Sequence, residues 1–469
     1  MMHSPRGEVG QAIQEKRSSL QRIGGSARSL RHRDFRVLWF GTLGNSAIMW
    51  MDIVVRNWLV WELTGSFLAI ATINMVRMLP SMFMAVPAGV LVDRVDRRKV
   101  LIVAQSGIFA LYAILSLLAV TDTLALWNMY VIFGFMGVTS ALTQPARQSI
   151  IPMVVPRDEI TNAVAIQQAG FNATRIFGMA GAGFLMDILG AGFMFALLSG
   201  TAGFVVLTSI LLQLPEMSAA PSASPFRAAG EGLVYIGRTT VLRVLLLLTF
   251  LVMLFGLPFS SLLPGLVEVV FGAGSSTFGI LMSVTGVGSL IATLLIASTS
   301  FRRPGVVVLV GTLLFSVTLM AFYFLPVFTA TPGLITASVL LGIGGFASGI
   351  HMATSNAMML TQSDPAYHGR VMSMNMLNHG FMPLGAYPAA WIAGSIGAAS
   401  AISMMGFILF GAAFLVTLTH PSLLRLRVEP IAAPSMGHGG EGGGPMRAPA
   451  GGSGETDSTS QPEHDDKDN

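Results

Sequence analysis

The chain has no cysteine in its 469 residues. That excludes disulfides, thiol chemistry and cysteine-ligated metal, and it leaves the compartment open. Charge is scarce too. Asp, Glu, Lys and Arg together make up 11% of the residues, where soluble domains carry about 25%. No GxxxxGK[ST] phosphate loop occurs, so ATP hydrolysis by this chain is not expected. No Ser-His-Asp, zinc-ligand or kinase pattern is present either. The expectation is a non-enzyme with no cofactor and no metal. The formal charge of +4 is spread through short loops and does not point to nucleic acid. Residues 1–36 are polar, rich in Arg and Ser, and lack an apolar core followed by a small-residue cleavage site. A cleaved secretory leader is therefore not expected there.

What the chain has is apolar length. Hydrophobic residues make up 53% of it, and mean hydropathy is +0.68. A membrane-spanning helix needs about 20 apolar residues. Twelve stretches qualify: 37–63, 67–92, 99–121, 125–151, 162–188, 191–214, 244–271, 277–301, 304–329, 332–361, 369–396 and 398–419. The expected fold class is an all-α membrane protein of twelve transmembrane helices in two six-helix bundles. Its parts are an N-terminal cytoplasmic segment (1–36), a first bundle (37–214), a central cytoplasmic loop (215–243), a second bundle (244–419) and a tail (420–469). The central loop begins Pro-, Ser- and Ala-rich and ends amphipathic, from Phe226 to Arg243. Two repeated halves joined by a longer loop are a transporter outline. From 430 onward the tail is Gly, Ser, Pro and acid, which cannot bury a core and is expected to be disordered.

Orientation follows from charge. Of 27 Lys and Arg, Arg56, Arg77 and Arg175 lie deep inside spans. The other 24 fall on one side: the N-terminal segment, the even-numbered connections or the span ends on that side, and the tail. None falls in the loops at 64–66, 122–124, 189–190, 272–276, 330–331 or 397. By the positive-inside rule both termini are expected to be cytoplasmic.

Between Gly89 and Lys99 a charged knot separates two spans: Gly-Val-Leu-Val-Asp-Arg-Val-Asp-Arg-Arg-Lys. Gly89, Asp93, Arg94, Arg97 and Arg98 match the pattern G-x-x-x-D-R-x-G-R-R/K; Asp96 stands where that pattern has its second Gly. This resembles the signature loop of the major facilitator superfamily. Further segments resemble its bacterial enterobactin exporter-like and drug-efflux branch. They include Arg33-Asp34-Phe35-Arg36, Trp58-Leu59-Val60-Trp61, Gln144-Pro145-Ala146-Arg147-Gln148, Arg175-Ile176-Phe177-Gly178 and Gly369-Arg370-Val371. Together they cover most of residues 33–420. The resemblance implies a latch in which the loop holds one bundle to the start of helix 11. Arg147 is then the cationic neighbour of Asp93, and Arg370 opens the receiving helix. The opposing reading is a plain topogenic charge cluster. The matching loop of the second half, Phe301 to Gly305, keeps only its basic pair, so the latch is expected to be one-sided.

Asp52 and Arg56 are one helical turn apart and share a face near the middle of the first span. Arg77 is near the middle of the second span and Arg175 of the fifth. Charge at that depth is costly and faces a cavity or a partner. Asp52 is the only acid deep in any span. It is the candidate proton-coupling carboxylate, and Arg56, Arg77 and Arg175 are candidates for an anion-binding substrate path. The alternative is a structural Asp52–Arg56 bridge. In the second half the deep polar candidates are His351, Asn375, Asn378 and His379, each also readable as a satisfied polar residue. Gly178, Gly181, Gly183 and Gly286 are expected at close helix approaches. Antiporters of the superfamily carry a Gly-Pro pair in helix 5, and Met179 stands at the Pro position.

The function implied by the resemblance is secondary active export of a bulky organic molecule, drug-like or siderophore-like, across the bacterial cytoplasmic membrane. Its partners are a small-molecule substrate, protons and the lipid bilayer, with no nucleic acid, and the working unit is a monomer. A non-transporting membrane sensor or assembly partner, or an importer of a small organic anion, remain as alternatives.

Overall fold

The computed structural model describes residues 28–156, 159–213, 234–299, 301–327, 330–364, 367–420 and Leu424. The tail apart from His420 and Leu424, and the central loop up to 233, lie outside the described residues. Within them every regular element is helical. Helix α1 runs Arg33–Thr64, α2 Phe67–Arg94, α3 Arg97–Val120 and α4 Leu126–Val154. One helical stretch, Ile160–Leu211, holds α5 and α6, divided at Gly190. Helix α7 comprises Thr240–Leu251, a π-helical turn Val252–Gly256 and Phe259–Phe271. Then come α8 (Ser275–Ser298), α9 (Pro304–Ala321, extended by a 3-10 turn Phe322–Val327) and α10 (Ala330–Thr361). Helix α11 is in two pieces, His368–His379 and Met382–Ile396, and α12 is Ala398–Thr419.

Ten helices are long and apolar enough to cross a membrane by length and composition. The expected twelve spans are reconciled with that figure by two local facts. Asn162–Leu211 contains two spans in one helical run. Helix α11 is broken at Gly380, which leaves each piece too short to qualify alone. Large apolar side chains such as Val103, Leu117, Leu294 and Leu415 stay at least 60% exposed. In water that much exposed apolar surface is an interaction site, whereas hydrocarbon covers it without cost.

The turns on the side away from the chain termini are tight. Gly65, Gly190, Gly272, Gly397 and Asp122 all have positive φ there. Gly190, at φ 74 and ψ 173, reverses the chain between α5 and α6 in one residue, a conformation that a Cβ opposes. On the terminal side the turns are built with charge. Asp96, at φ −52, accepts the Arg98 backbone N–H at 2.9 Å and caps α3. The departure from Gly at 96 thus replaces a flexible turn with a helix cap.

Two seams join the first six helices to the last six: α5 against α8, and α2 against α11. Glycine makes the first seam possible. A Cβ on Gly183 would run into the Ser275 carbonyl and the Gly279 backbone, and one on Gly279 into the Met179 carbonyl. Met179 itself is buried in this seam. At Gly286 a Cβ would meet Ile176 and Arg175, and at Gly178 it would make ordinary contact with Met51 and Trp50. The expectation of close packing does not extend to Gly181, where nothing lies within 4 Å. It sits two residues from Gly183, so on a helix it points away from the face that meets α8.

Candidate functional site

Asp52 is 1% exposed and Arg56 4%, so neither can rely on bulk water. Arg56 Nη1 donates to Asp52 Oδ2 at 2.7 Å. Arg77 Nη1, from α2, reaches the same oxygen at 3.5 Å. The other oxygen, Oδ1, accepts the Tyr112 hydroxyl of α3 at 2.8 Å. Phe133 of α4 completes the arrangement, with the Arg56 and Arg77 guanidinium carbons 5.2 Å and 5.7 Å from its ring centroid. Four helices therefore converge on one carboxylate. Two guanidiniums share it, so the group keeps an excess of one positive charge while Asp52 is ionised.

The second Arg56 amine, Nη2, donates to Asn74 Oδ1 at 3.0 Å. Asn74 Nδ2 in turn donates to Asn57 Oδ1 at 3.1 Å and to Ser261 Oγ at 3.4 Å. Ser261 belongs to α7. The charged group is thus continuous by hydrogen bonds with the opposite half of the molecule. Sequence reasoning singled out Asp52, Arg56 and Arg77 but missed Tyr112, Phe133, Asn57, Asn74 and Ser261. The available signal was their polarity or aromaticity in spans otherwise made of aliphatic residues.

Arg175 stands apart from this group. Its guanidinium carbon is 5.1 Å from the Trp50 ring centroid, and Nη1 reaches Ser289 Oγ of α8 at 3.5 Å. No acid among the described residues pairs with it.

The second-half candidates are arranged differently. His351 is fully buried between Thr312 of α9, 2.8 Å from Nδ1, and Thr249 of α7, 3.4 Å from Nε2. That places it inside the helix packing, not on an open path. Asn375 donates to Asn356 Oδ1 at 2.8 Å, and Asn378 to the Leu246 carbonyl at 3.2 Å. The side chain of His379 lies outside the described residues.

The same holds for the side chains of Asp93 and Arg94, and for the surroundings of Gly89. Other members of the loop are described. Arg98 donates to the carbonyls of Ser209, at 3.3 Å, and Ile210, so it caps the end of α6. Arg97 reaches Met153 Sδ at 3.3 Å. Arg147 is 5% exposed, packed near Gly41 of α1 and Thr208 of α6, with Nε and Nη2 unbonded. Arg370 stacks on Tyr367 at 4.9 Å, which stacks on Tyr235.

On the far side, acids that the sequence placed at span ends join the two halves. Asp187 of α5 accepts the backbone N–H groups of Ser275 and Ser276, each at 2.9 Å, and so caps α8. Glu268 of α7 accepts the indole N–H of Trp61.

The profile of the transmembrane secretion effector family matches residues 25–433. The chain belongs to that family. It is a multi-pass membrane transporter of the major facilitator superfamily and not an enzyme. Among relatives, the staphyloferrin A transporter of Staphylococcus aureus is 25% identical over 367 residues, spanning 78% of this chain and 89% of the relative. Macrolide efflux protein A of Streptococcus pyogenes is 24% identical over 384 residues, 77% of this chain and 90% of the relative. Among solved structures, a bacterial homolog of the human lysosomal transporter Spinster, inward-facing and unoccupied, aligns with a TM-score of 0.64. It covers 85% of this chain and 98% of that one at 16% identity, a likeness of fold.

Proposed function

We propose that this protein exports a bulky organic molecule from the bacterial cytoplasm by alternating access, in exchange for protons taken up at Asp52. The observation that carries the reading is the Asp52 carboxylate, buried and shared by Arg56, Arg77 and Tyr112. Ionised, it holds both guanidiniums. Protonated, it loses its negative charge and at least one guanidinium loses its partner. Arg56 also donates to Asn74, which donates to Ser261 in the second half. A change of charge at Asp52 therefore bears on a contact between the two halves, and rocking of the halves is what alternating access requires.

Export draws support from the macrolide efflux relative, and transport of an organic molecule from the staphyloferrin A transporter. The one-sided Lys and Arg distribution supports the terminal side as cytoplasmic. The contacts at Asp187, Gly183 and Glu268 then close the periplasmic side. In the opposite state the signature loop, with Asp93, latches the cytoplasmic side. The test is efflux from proteoliposomes loaded with a macrolide or ethidium, with and without a pH gradient. Efflux accelerated by the gradient is expected. Equal rates with and without it overturn proton antiport, and no efflux of either compound overturns export of drug-like molecules.

A further inference from the structure

Arg175 departs from the rule that a deep charge in a membrane protein finds a partner. Its Nη1 is directed to Ser289 Oγ at 3.5 Å, the limit of a hydrogen bond. Its Nε is sealed from solvent and has no acceptor among the described residues. The edge formed by Nε and Nη2, the one that pairs in a fork with a carboxylate, is therefore unused. The tryptophan beneath it has the same deficit, since the buried Trp50 Nε1 also lacks an acceptor. Two orphaned donors lie on neighbouring stacked groups. Buried donors are ordinarily satisfied, and exceptions require a reason.

The position supplies the reason. Trp50 is on α1, Arg175 on α5 and Ser289 on α8, so the three come from both halves of the transporter. Gly286 lies opposite, where a Cβ would come within 3.5 Å of the Arg175 side chain. Ile176 packs beside it, and its carbonyl accepts the Ser283 hydroxyl at 2.7 Å. The backbone at this crossing is thus fixed, while the guanidinium Nε, enclosed beside Gly286, is left without an acceptor. The Arg56 and Arg77 cations already share a carboxylate of the protein itself, and Arg175 does not.

We propose that Arg175, with Trp50 and Ser289, is a subsite for an anionic group of the transported molecule, a carboxylate on an amphipathic organic body. The proposal rests on the transporter reading and narrows its substrate class. The fork supplies two charge-assisted hydrogen bonds, and the indole supplies a flat apolar wall beneath the carboxylate. Binding at a residue that touches both halves ties occupancy to their relative position.

The test uses 9-anthracenecarboxylate and the uncharged 9-anthracenemethanol as probes. Affinities are measured near neutral pH for the full chain in phosphatidylcholine nanodiscs. The reading is the ratio of the two affinities. The wild type is expected to prefer the carboxylate by about 10- to 100-fold, the range for hydrogen bonds to a charged group. Arg175→Gln is expected to bring the ratio close to one. Arg175→Lys, which keeps the charge and loses the fork, is expected to fall between them, and it serves if the Gln variant fails to fold. A ratio near one in the wild type, or a preference that survives in both variants, overturns the subsite. Repeating the measurement with phosphatidylglycerol distinguishes a lipid phosphate as occupant. Preference abolished by that lipid assigns the fork to the bilayer and overturns the proposal. Wild-type proteoliposomes that keep the carboxylate preference but export neither probe contradict the exporter reading and leave the subsite standing.

Discussion

In the first half of the molecule, Asp52, Arg56 and Arg77 meet as full charges at the junction of four helices. At comparable depth in the second half, His351 lies between two threonine hydroxyls. Both arrangements hold polar groups away from water, but they respond differently to a proton or a ligand. A charged knot held by one carboxylate changes its balance when that carboxylate is neutralised. A histidine wedged between neutral hydroxyls and fully buried has no ionic partner to lose. Under the proposed antiport, coupling resides in the first half, and the second provides a surface for it to act against. The Asn74–Ser261 contact is one place where the two meet.

The largest expected effect comes from breaking the knot. Asp52→Asn leaves Arg56 and Arg77 without a carboxylate, and loss of one partner of a buried pair costs about 3–5 kcal/mol. Denaturation in detergent micelles should show a large loss of stability, with partial recovery in Asp52→Asn/Arg56→Gln. Wild-type stability in the single variant would mean that the pair is not what holds this region. Tyr112→Phe is smaller. Packing is kept, and one hydrogen bond to a charged group is lost, worth about 1.5–3 kcal/mol. The same denaturation series should rank it below Asp52→Asn, and an equal or greater loss would shift the weight of the site from the ion pairs to Tyr112.

At the seam, Gly183→Val places a side chain against the Ser275 carbonyl and Gly279, an overpacking of about 1–3 kcal/mol. It should disfavour closure on the far side. Spin labels on cysteines placed near Asp187 and Ser276 can read this, since no native cysteine competes. An unchanged distance distribution would show that the seam accommodates the side chain. The smallest effect is expected at His351→Gln, where one neutral hydrogen bond is weakened, about 1 kcal/mol. Transport per folded molecule should stay close to wild type. A selective loss of proton-driven transport at wild-type stability would break the contrast between the two halves.

Much of the fold was legible because spanning helices are long, apolar and punctuated. The span at 398–419 coincides with α12, and the break between 188 and 191 falls at Gly190. The site was legible only in part. A single acid one turn from an arginine is visible in sequence. That Arg77 from the next helix shares the same oxygen is a fact of helix rotation, which periodicity leaves undetermined in spans apolar all round. Tyr112 was hidden because a tyrosine in an apolar run reads as packing. The far-side acids lie at span ends, where sequence alone gives them no partner, and the role of Asp187 depends on α8 starting beside it. His351 was legible as polar and deep, but its threonine partners lie 39 and 102 residues away in sequence.

The central claim is that the Asp52 carboxylate carries the proton, and flux through Asp52→Asn/Arg56→Gln tests it most directly. The double variant relieves much of the uncompensated charge, so folding and coupling can be read separately in one preparation. The account predicts a folded protein that still exchanges substrate down its own gradient and gains nothing from an imposed pH gradient. Gradient-driven transport near the wild-type rate in that variant, which has no carboxylate at this site, would contradict it.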